Sequence, residues 1–236
     1  MACNHCGAES HSKQACLHWW SGELTRIGAL RETVSTSGAV ELYTAARRVF
    51  RYNLLNAGYD LSGTNALLTK FNDAGPRSAP TAAFSKVKPG RPQSGADGNR
   101  INRWLLPDDH KQYATEREAR LVGARFILQA LSFSNAPEVP DNPFVDTFDG
   151  WLVNHRIVPG IYLDPVMLEP IDFNEMFENP RIVTSGHLTP LSHDGGFHTI
   201  ENAFLQLKKS NDLQGDNAVN ELLEMMEGIL QRHGQK

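Results

Sequence analysis

Two stretches of the 236-residue chain repeat apolar residues at intervals of three and four. The first predicts a long helix over residues 39–57, and its apolar positions are Val40, Leu42, Tyr43, Val49, Phe50, Leu54 and Leu55. The second predicts a helix over 112–133, with a stripe formed by Leu121, Ala124, Arg125, Leu128 and Leu131. Because an α-helix turns once in about 3.6 residues, each set lies on one face. We therefore expect both helices to bury that face in a common core.

Shorter elements are predicted in the last quarter of the chain. The pattern there favours a strand at Arg181–Thr184, a helix over 199–209 and an amphipathic helix over 218–232. Asp216 or Asn217 would act as the N-cap of the last helix. Its apolar face consists of Leu222, Leu223, Met226 and Leu230.

Between the strong helices the sequence predicts one short helix and a long irregular region. The short helix covers 63–72, and Ser62 or Thr64 is its candidate cap. Residues 135–180 are rich in proline, which favours irregular connections. The β-prone pieces in that region lie around Trp151–Val158 and Ile161–Leu163.

The segment 74–103 contains many prolines and glycines, so no continuous helix or strand is expected there. Its charges are mostly positive, and the candidates for contact with nucleic-acid phosphates are Lys86, Lys88, Arg91, Arg100 and Arg103. Two interpretations fit this composition. A basic loop can become ordered on a phosphate backbone, whereas a solvated connector would have the same residues.

The composition is that of a globular protein, with 40% hydrophobic and 21% charged residues. A net charge of −4 gives no general attraction for nucleic acid, so any basic surface has to be local. No run of about 18 apolar residues is present, which excludes a membrane-spanning helix. The first residues lack the apolar stretch of a signal peptide, so we expect a cytoplasmic protein.

All three cysteines lie in the first sixteen residues, in the spacing Cys3-x2-Cys6-x4-His11-x4-Cys16. Three thiolates and one imidazole are a complete tetrahedral ligand set for a structural Zn²⁺ ion. This spacing resembles the CCHC zinc knuckle of nucleic-acid-binding proteins, with Gly7 at a position where that family usually has glycine. The alternative is three reduced cysteines beside an unrelated histidine.

The most informative motif lies near the end of the chain and has the spacing H-x14-N-x8-N. Its members are Gly186-His187-Leu188, Pro190, Gly195-Gly196, Asn202, Asn211 and Gln214-Gly215-Asp216. Over residues 181–225 this pattern resembles the HNH, or ββα-metal finger, family of nucleases. In that family two strands and a helix hold one divalent metal ion.

The resemblance implies a role for each of three residues. His187 matches the general base that deprotonates the attacking water, and a neutral imidazole suits that task near pH 7. Asn202 matches the amide that fixes the loop and so orients the histidine. Asn211 matches a ligand of Mg²⁺ or Mn²⁺, the ion that neutralises charge on the scissile phosphate. Gly186 stands where the family often has an aspartate as a second metal ligand.

These observations predict an α+β protein with three parts: a zinc-knuckle-like unit at 1–20, a mainly helical recognition or dimerisation region at 21–180, and an HNH-like nuclease domain at 181–236. The expected function is metal-dependent cleavage of double-stranded DNA, most naturally by a site-specific, restriction-type enzyme that could act as a homodimer. The alternatives are a nucleic-acid-binding protein without catalytic activity, a nuclease subunit of a phage or defence complex, and a secreted nuclease toxin.

Overall fold

Helices and two short antiparallel sheets make up residues 34–78, 100–139 and 152–234, which are the residues that the computed structural model describes. The helices are α1 (Thr36–Asn56), α2 (Leu61–Ala74), α3 (Glu116–Ala130), α4 (Phe173–Glu178), α5 (Lys208–Gln214) and α6 (Val219–Gly234). One sheet pairs β1 (Arg77–Ser78) with β2 (Ile101–Asn102), and the other pairs β3 (Val183–His187) with β4 (Ala203–Leu207). The α+β class predicted from the sequence is confirmed.

The core is formed where α1, α2 and α3 pack together and where β4 lies against α3. Every residue of the stripe predicted for the second long helix is buried, including Arg125. The Arg125 guanidinium is tolerated there because its Nη1 donates to the carbonyl oxygen of Ile200. Five aromatic side chains fill the centre of this core: Phe50, Phe71, Phe126, Phe133 and Phe173.

The first helices begin at polar N-caps. Ser35 caps α1, and Thr115 caps α3 by accepting from the Glu118 amide at 3.2 Å. The cap of α2 is Asp60, whose carboxylate accepts from the Gly63 amide at 2.8 Å. The prediction that Ser62 or Thr64 caps α2 is therefore wrong. The aspartate two residues before Ser62 provides the stronger acceptor, which moves the start of the helix towards it.

The segment predicted as a helix over 199–209 contains β4 instead, followed by α5. Its residues Ala203, Phe204, Leu205 and Gln206 are all buried, so both faces of the strand are covered. A short run that is apolar on every side does not distinguish a strand from a buried helix by its period. The prediction failed for that reason. The strand predicted at Arg181–Thr184 begins later, at Val183, and continues to His187.

Three buried side chains satisfy the edge of β4 that does not pair with β3. The Leu205 amide donates to Gln129 Oε1 at 2.9 Å, and the Leu207 amide donates to Asp164 Oδ2 at 2.7 Å. The Tyr162 hydroxyl donates to the Leu205 carbonyl oxygen. A buried strand edge needs such partners because an unpaired backbone group away from water is costly. The two-stranded sheet is thereby fixed to α3 and to the connection around residue 163.

The last helix, α6, is amphipathic as predicted, but Leu222 is its one buried residue within the described part of the chain. The predicted caps bond elsewhere: Asp216 accepts from the Ser192 hydroxyl, and the Asn217 amide donates to the Gln214 carbonyl oxygen at 2.9 Å. Of the β-prone pieces, the described residues 152–163 form no strand. No helix in the described ranges is long and apolar enough to cross a bilayer.

Candidate active site

The hairpin β3–β4 and the helix α5 bring the three motif residues to one end of the sheet. His187 is the last residue of β3 and pairs with Ala203, the first residue of β4. Asn202 immediately precedes β4, and Asn211 lies in the middle of α5. The backbone carbonyl oxygen of His187 is also held by α5, because Gln214 Nε2 donates to it at 2.8 Å. Strand, strand and helix therefore form a single unit around the histidine.

Asn202 closes the long loop that connects the two strands. Its Oδ1 accepts from the Thr189 amide at 2.8 Å, while its Nδ2 donates to the carbonyl oxygens of Thr189 at 2.9 Å and Phe197 at 2.8 Å. The backbone adds a fourth bond, from the Leu188 amide to the Asn202 carbonyl oxygen at 3.0 Å. One amide side chain thus fixes both ends of the loop that follows His187.

A second histidine lies directly behind His187. Nε2 of His187 is 3.0 Å from Nδ1 of His198, and Nε2 of His198 is 3.0 Å from the carbonyl oxygen of Gly75, at the end of α2. His198 is completely buried, whereas His187 is partly exposed. The three groups form a hydrogen-bonded chain from the helical core to the surface of the site. By sequence alone, His198 is only one of several loop histidines.

Burial and a nearby cation keep both imidazoles neutral. Burial lowers the pKa of His187 to about 3, and the positive charge of Arg103 acts in the same direction. The pKa of His198 is lowered well below 6.5 by its burial and by Arg103, although the hydrogen bond to Gly75 opposes this. At neutral pH, His187 therefore has a free lone pair, which a general base requires.

Arg103, predicted to contact nucleic acid, is buried among backbone carbonyl groups. Its Nε donates to Gly75 at 2.9 Å, its Nη1 to Gln112 at 3.1 Å and its Nη2 to Ala74 at 3.3 Å. Burial, together with the charge of Arg100, lowers the pKa of Arg103 to about 9, so it remains a cation at neutral pH. Its positive charge reaches the site, but its hydrogen-bond donors are largely occupied by the protein.

A basic cleft of about 720 Å³ opens beside His187. The charged side chains that line it are Lys70, Asp73, Arg100, Arg103 and Arg181. Arg100 forms an ion pair with the one carboxylate, Asp73, at 3.2 Å. The charged groups of the Lys70 and Arg181 side chains have no hydrogen bond or ion pair to another described residue, although the Arg181 backbone amide donates to Asn179 Oδ1. Burial lowers the pKa of Lys70 to about 8, so its ammonium group is mostly charged at pH 7.

Lys70 and Arg181 were not singled out in the sequence analysis. Each lies in a segment of ordinary composition, and the chain folds them towards His187 from α2 and from the turn before β3. No local sequence pattern marks Lys70 and Arg181, because only the fold brings them close to His187. Of the predicted basic residues, Arg100 and Arg103 line the cleft. Lys86, Lys88 and Arg91 lie outside the described residues.

A second cleft, of about 310 Å³, is also lined by His187 and contains side-chain oxygen atoms that could bind a metal ion. Its lining includes Asn211, Gln214 and Asp216. Nε2 of Gln206 donates to Oδ1 of Asn211 at 2.8 Å, and Oε1 of Gln206 is buried without a hydrogen-bond partner. Two amide side chains therefore meet beside this cleft. Within the described ranges, no group of three or more histidine, cysteine, aspartate or glutamate residues could hold a metal ion.

Position 186, directly before His187, is a glycine for a steric reason. A Cβ atom on Gly186 would lie 2.5 Å from Cδ and Nε2 of Gln206 and 2.8 Å from the Phe204 ring. Such distances are far below van der Waals contact, so a larger residue at position 186 fits only if the side chains of Gln206 and Phe204 move. The buried glutamine occupies the space that a side chain at position 186 would need. The sequence shows the glycine but not the residue that requires it.

The predicted zinc ligands Cys3, Cys6, His11 and Cys16 lie outside the described residues. Comparisons with known proteins give little further information. No protein family and no curated protein matches the sequence. One solved structure, described as a type II restriction endonuclease, is similar with a TM-score of 0.45 and 20% identity. The aligned part covers 58% of this chain and 63% of that protein, so the chain spans less than two thirds of its length.

Proposed function

We propose that the protein is a metal-dependent DNA endonuclease in which His187 is the general base. The observation that carries this proposal is the position of His187 between two clefts of different chemistry. One cleft is lined mainly by cations, which attract phosphate groups, and the other has amide and carboxylate oxygens, with Lys111 as the one cation in its lining. A base between a phosphate site and a site for a hard ion is the arrangement that phosphodiester hydrolysis needs.

The basic cleft is the proposed binding site for the DNA backbone. Lys70 and Arg181 have charged groups that no described side chain neutralises, so a phosphate group would gain two new ionic contacts there. Arg103 adds a fixed positive charge from behind the cleft. The overall charge of −4 does not oppose this because binding depends on the local surface and on the release of counterions.

Asn211 and Gln206 are the residues proposed to hold a divalent ion. Asn211 and Asp216 line the second cleft, and Gln206 is buried next to Asn211. The free Oε1 of Gln206 supports this assignment, since a buried amide oxygen without a hydrogen-bond partner is uncommon in proteins. Amide and carboxylate oxygens suit Mg²⁺ or Mn²⁺, which keep several water ligands when few protein ligands are present. A bound ion would supply charge neutralisation at the scissile phosphate and at the leaving oxygen.

In the proposed reaction, the neutral imidazole of His187 takes a proton from a water molecule. The oxygen of that water forms a bond to phosphorus, and the bond from phosphorus to the leaving sugar oxygen breaks. Asn202 contributes by fixing both ends of the loop after His187, so that the imidazole keeps its position during the reaction. The basic residues Lys70 and Arg181 hold the phosphate backbone in place.

The test compares the wild-type protein with His187→Ala on plasmid and mixed-sequence linear DNA, in Mg²⁺, Mn²⁺ or EDTA. Metal-dependent cleavage that the variant loses by at least about 100-fold is expected. His193→Ala is the matched control, because His193 lies in the same loop without a side-chain hydrogen bond to a described residue. Discrete bands would indicate a restriction-type enzyme, and a smear would indicate a non-specific one. DNA binding without cleavage under any condition would support the inactive nucleic-acid-binding alternative and refute the endonuclease.

The N-terminal cysteines carry a separate proposal, which is a structural Zn²⁺ ion held by Cys3, Cys6, His11 and Cys16. A full set of four ligands leaves no open coordination position, so this ion would not take part in catalysis. Elemental analysis of the purified protein should find about one zinc per chain, and Cys6→Ser should lose it. Metal-free protein with unchanged stability would refute the assignment.

A further inference from the structure

His198 is the best-defined neighbour of the proposed base. It is completely buried, and both of its ring nitrogens lie 3.0 Å from a partner, Nδ1 from His187 and Nε2 from the Gly75 carbonyl oxygen. For most buried histidines, any hydrogen-bond partner for each of the two ring nitrogens is sufficient. Here one of the two partners is itself an imidazole, so the proton position on one ring determines the proton position on the other.

The protons in the hydrogen-bonded series His187–His198–Gly75 can be assigned by starting at the Gly75 carbonyl oxygen. A carbonyl oxygen only accepts hydrogen bonds, so Nε2 of His198 must carry a proton and donate it to Gly75. Burial and the nearby Arg103 hold the pKa of His198 far below neutrality, so this ring carries one proton only. Nδ1 of His198 is then an acceptor, and Nε2 of His187 is the donor to it. The remaining nitrogen of His187, Nδ1, has the free lone pair.

We propose that His198 is a positioning residue that holds His187 in the Nε2–H tautomer, so that Nδ1 of His187 is the atom that accepts the proton from water. The catalytic part of this inference rests on the proposed endonuclease function. A free imidazole exchanges readily between its two tautomers, and only one of them leaves a given nitrogen able to act as a base. His198 removes that exchange.

The Gly75 carbonyl group, at which the hydrogen-bonded series ends, is held in place by the packing of α2 against α3. The Gly75 carbonyl oxygen accepts from Nε of Arg103 at 2.9 Å as well as from His198. Gly75 itself lies so close to α3 that a Cβ atom on it would be 2.7 Å from the Cα of Gly123. The carbonyl oxygen therefore has little freedom to move or to turn away from the imidazole. This rigidity lets His198 define one tautomer.

The first test measures the tautomer directly and does not require activity. Long-range ¹H–¹⁵N correlation spectra of the protein without DNA should show Nδ1 of His187 unprotonated and Nε2 protonated. The spectrum of His198→Leu should show that His187 has become a mixture of the two tautomers, because its acceptor is gone. A proton on Nδ1 of His187 in the wild-type protein would overturn the inference.

The second test measures cleavage by three variants under conditions in which DNA is saturating. His198→Leu should lower kcat by about 100-fold, within the range that a general base contributes, and leave KM for DNA within about twofold. His198→Gln should recover most of this loss, because its amide can accept from His187 and donate to Gly75. His193→Leu, the same change five positions earlier in the same loop, should leave kcat unchanged.

The outcomes separate this inference from the proposed function. If the wild-type protein cleaves no DNA but the spectra show the expected tautomer, the function is wrong and the role of His198 in fixing the tautomer stands. If the wild-type protein cleaves DNA and both His198→Leu and His198→Gln cleave it as fast as the wild type, the function stands and the positioning role is refuted. Should His198→Leu fail to fold, the wild-type spectrum and the His198→Gln variant still decide the question.

Discussion

At the scale of single residues, the proposed base, His187, has a low affinity for protons. Its pKa of about 3 is set first by burial and then by the charge of Arg103. Such a residue stays neutral through the whole physiological range, so it is always available but only weakly basic. The negative charge of a bound phosphate next to His187 opposes the charge of Arg103 and raises the pKa of the imidazole in the complex.

This electrostatic setting predicts an unusual pH profile. A base with an ordinary pKa of 6.5 is only about 3% neutral at pH 5, so its kcat/KM falls about 25-fold between pH 7 and pH 5. The pKa of His187 in the free protein is lower, so the loss of activity should begin well below pH 5. The other charged groups that line this cleft are Lys70, Asp73, Arg100, Arg103 and Arg181, and Lys70, with a pKa of about 8, stays charged throughout the acid range.

Initial rates on short DNA at low substrate concentration, from pH 4.5 to pH 8, give the profile. They report the free enzyme because kcat/KM refers to it. A decline centred between pH 6 and pH 7 would contradict the lowered pKa.

Gly186 gives a second prediction at this scale. Gly186→Asp should lower the free energy of unfolding by about 1–3 kcal/mol, because the new side chain overlaps Gln206 and Phe204. Adding Gln206→Ala removes most of that overlap and should restore part of the stability. In a His187→Ala background, the double variant should also bind Mg²⁺ more tightly than the parent, since it gains a carboxylate.

Urea unfolding and calorimetric titration with Mg²⁺ measure the two effects, and Gln206→Ala alone is the control for losing the amide. If Gly186→Asp were as stable as the wild type, the steric explanation for the glycine would be wrong.

At the scale of elements, the sequence predicted what local periodicity can encode. The long helices were found because their apolar stripes extend over about three turns or more, and α1 and α3 appear within a few residues of the predicted ends. The strand β4 was missed because burial on both faces removes the alternation that identifies a strand. The hydrogen bonds that stabilise β4 come from Gln129, Tyr162 and Asp164, which are distant in sequence. No local pattern could reveal them.

The same limit applies to the site. His187, Asn202 and Asn211 follow a fixed spacing along the chain, so the resemblance to a nuclease family is enough to predict them as site residues. Lys70, Gln206 and His198 have no such signal, because each reaches the site from a different element. Tertiary structure alone brings them together.

The edge of β4 yields a prediction about stability. Gln129→Leu keeps the apolar volume but removes the oxygen that accepts from the Leu205 amide. A buried amide without a partner costs about 1–3 kcal/mol, so unfolding in urea should occur at a clearly lower concentration. Gln231→Leu, on the exposed part of α6, is the matched control and should change stability by less than about 0.5 kcal/mol. Equal stability of the two variants would contradict the role assigned to Gln129.

At the scale of the whole molecule, the two clefts and the core form a continuous structure. The buried cluster runs from α1 through α3 to Val183 and Leu205 of the second sheet. The basic cleft is likewise lined by residues from α2, from the region after β2 and from β3. The helical part and the strand–helix unit thus contribute jointly to the surface that we propose for DNA.

That surface predicts a defined salt dependence. Lys70→Ala and Arg181→Ala should each weaken DNA binding and reduce the slope of log Kd against log salt concentration by about one, because each removes one phosphate contact. Lys208→Ala is the control, since Lys208 is exposed, pairs with Asp212 and does not line the cleft. Fluorescence anisotropy in EDTA, from low to moderate salt, separates binding from cleavage. Unchanged slopes in both cleft variants would place the DNA elsewhere.

The close contact of Gly75 with Gly123 has a consequence for how such a protein can change during evolution or in the laboratory. The carbonyl group that orders the two histidines belongs to the helical part of the chain, more than 100 residues before them. Recombination that exchanges the helices would remove this carbonyl group. In a chimaera, the two histidines would keep their hydrogen-bonded arrangement only if the incoming helices approached each other as closely as Gly75 approaches Gly123.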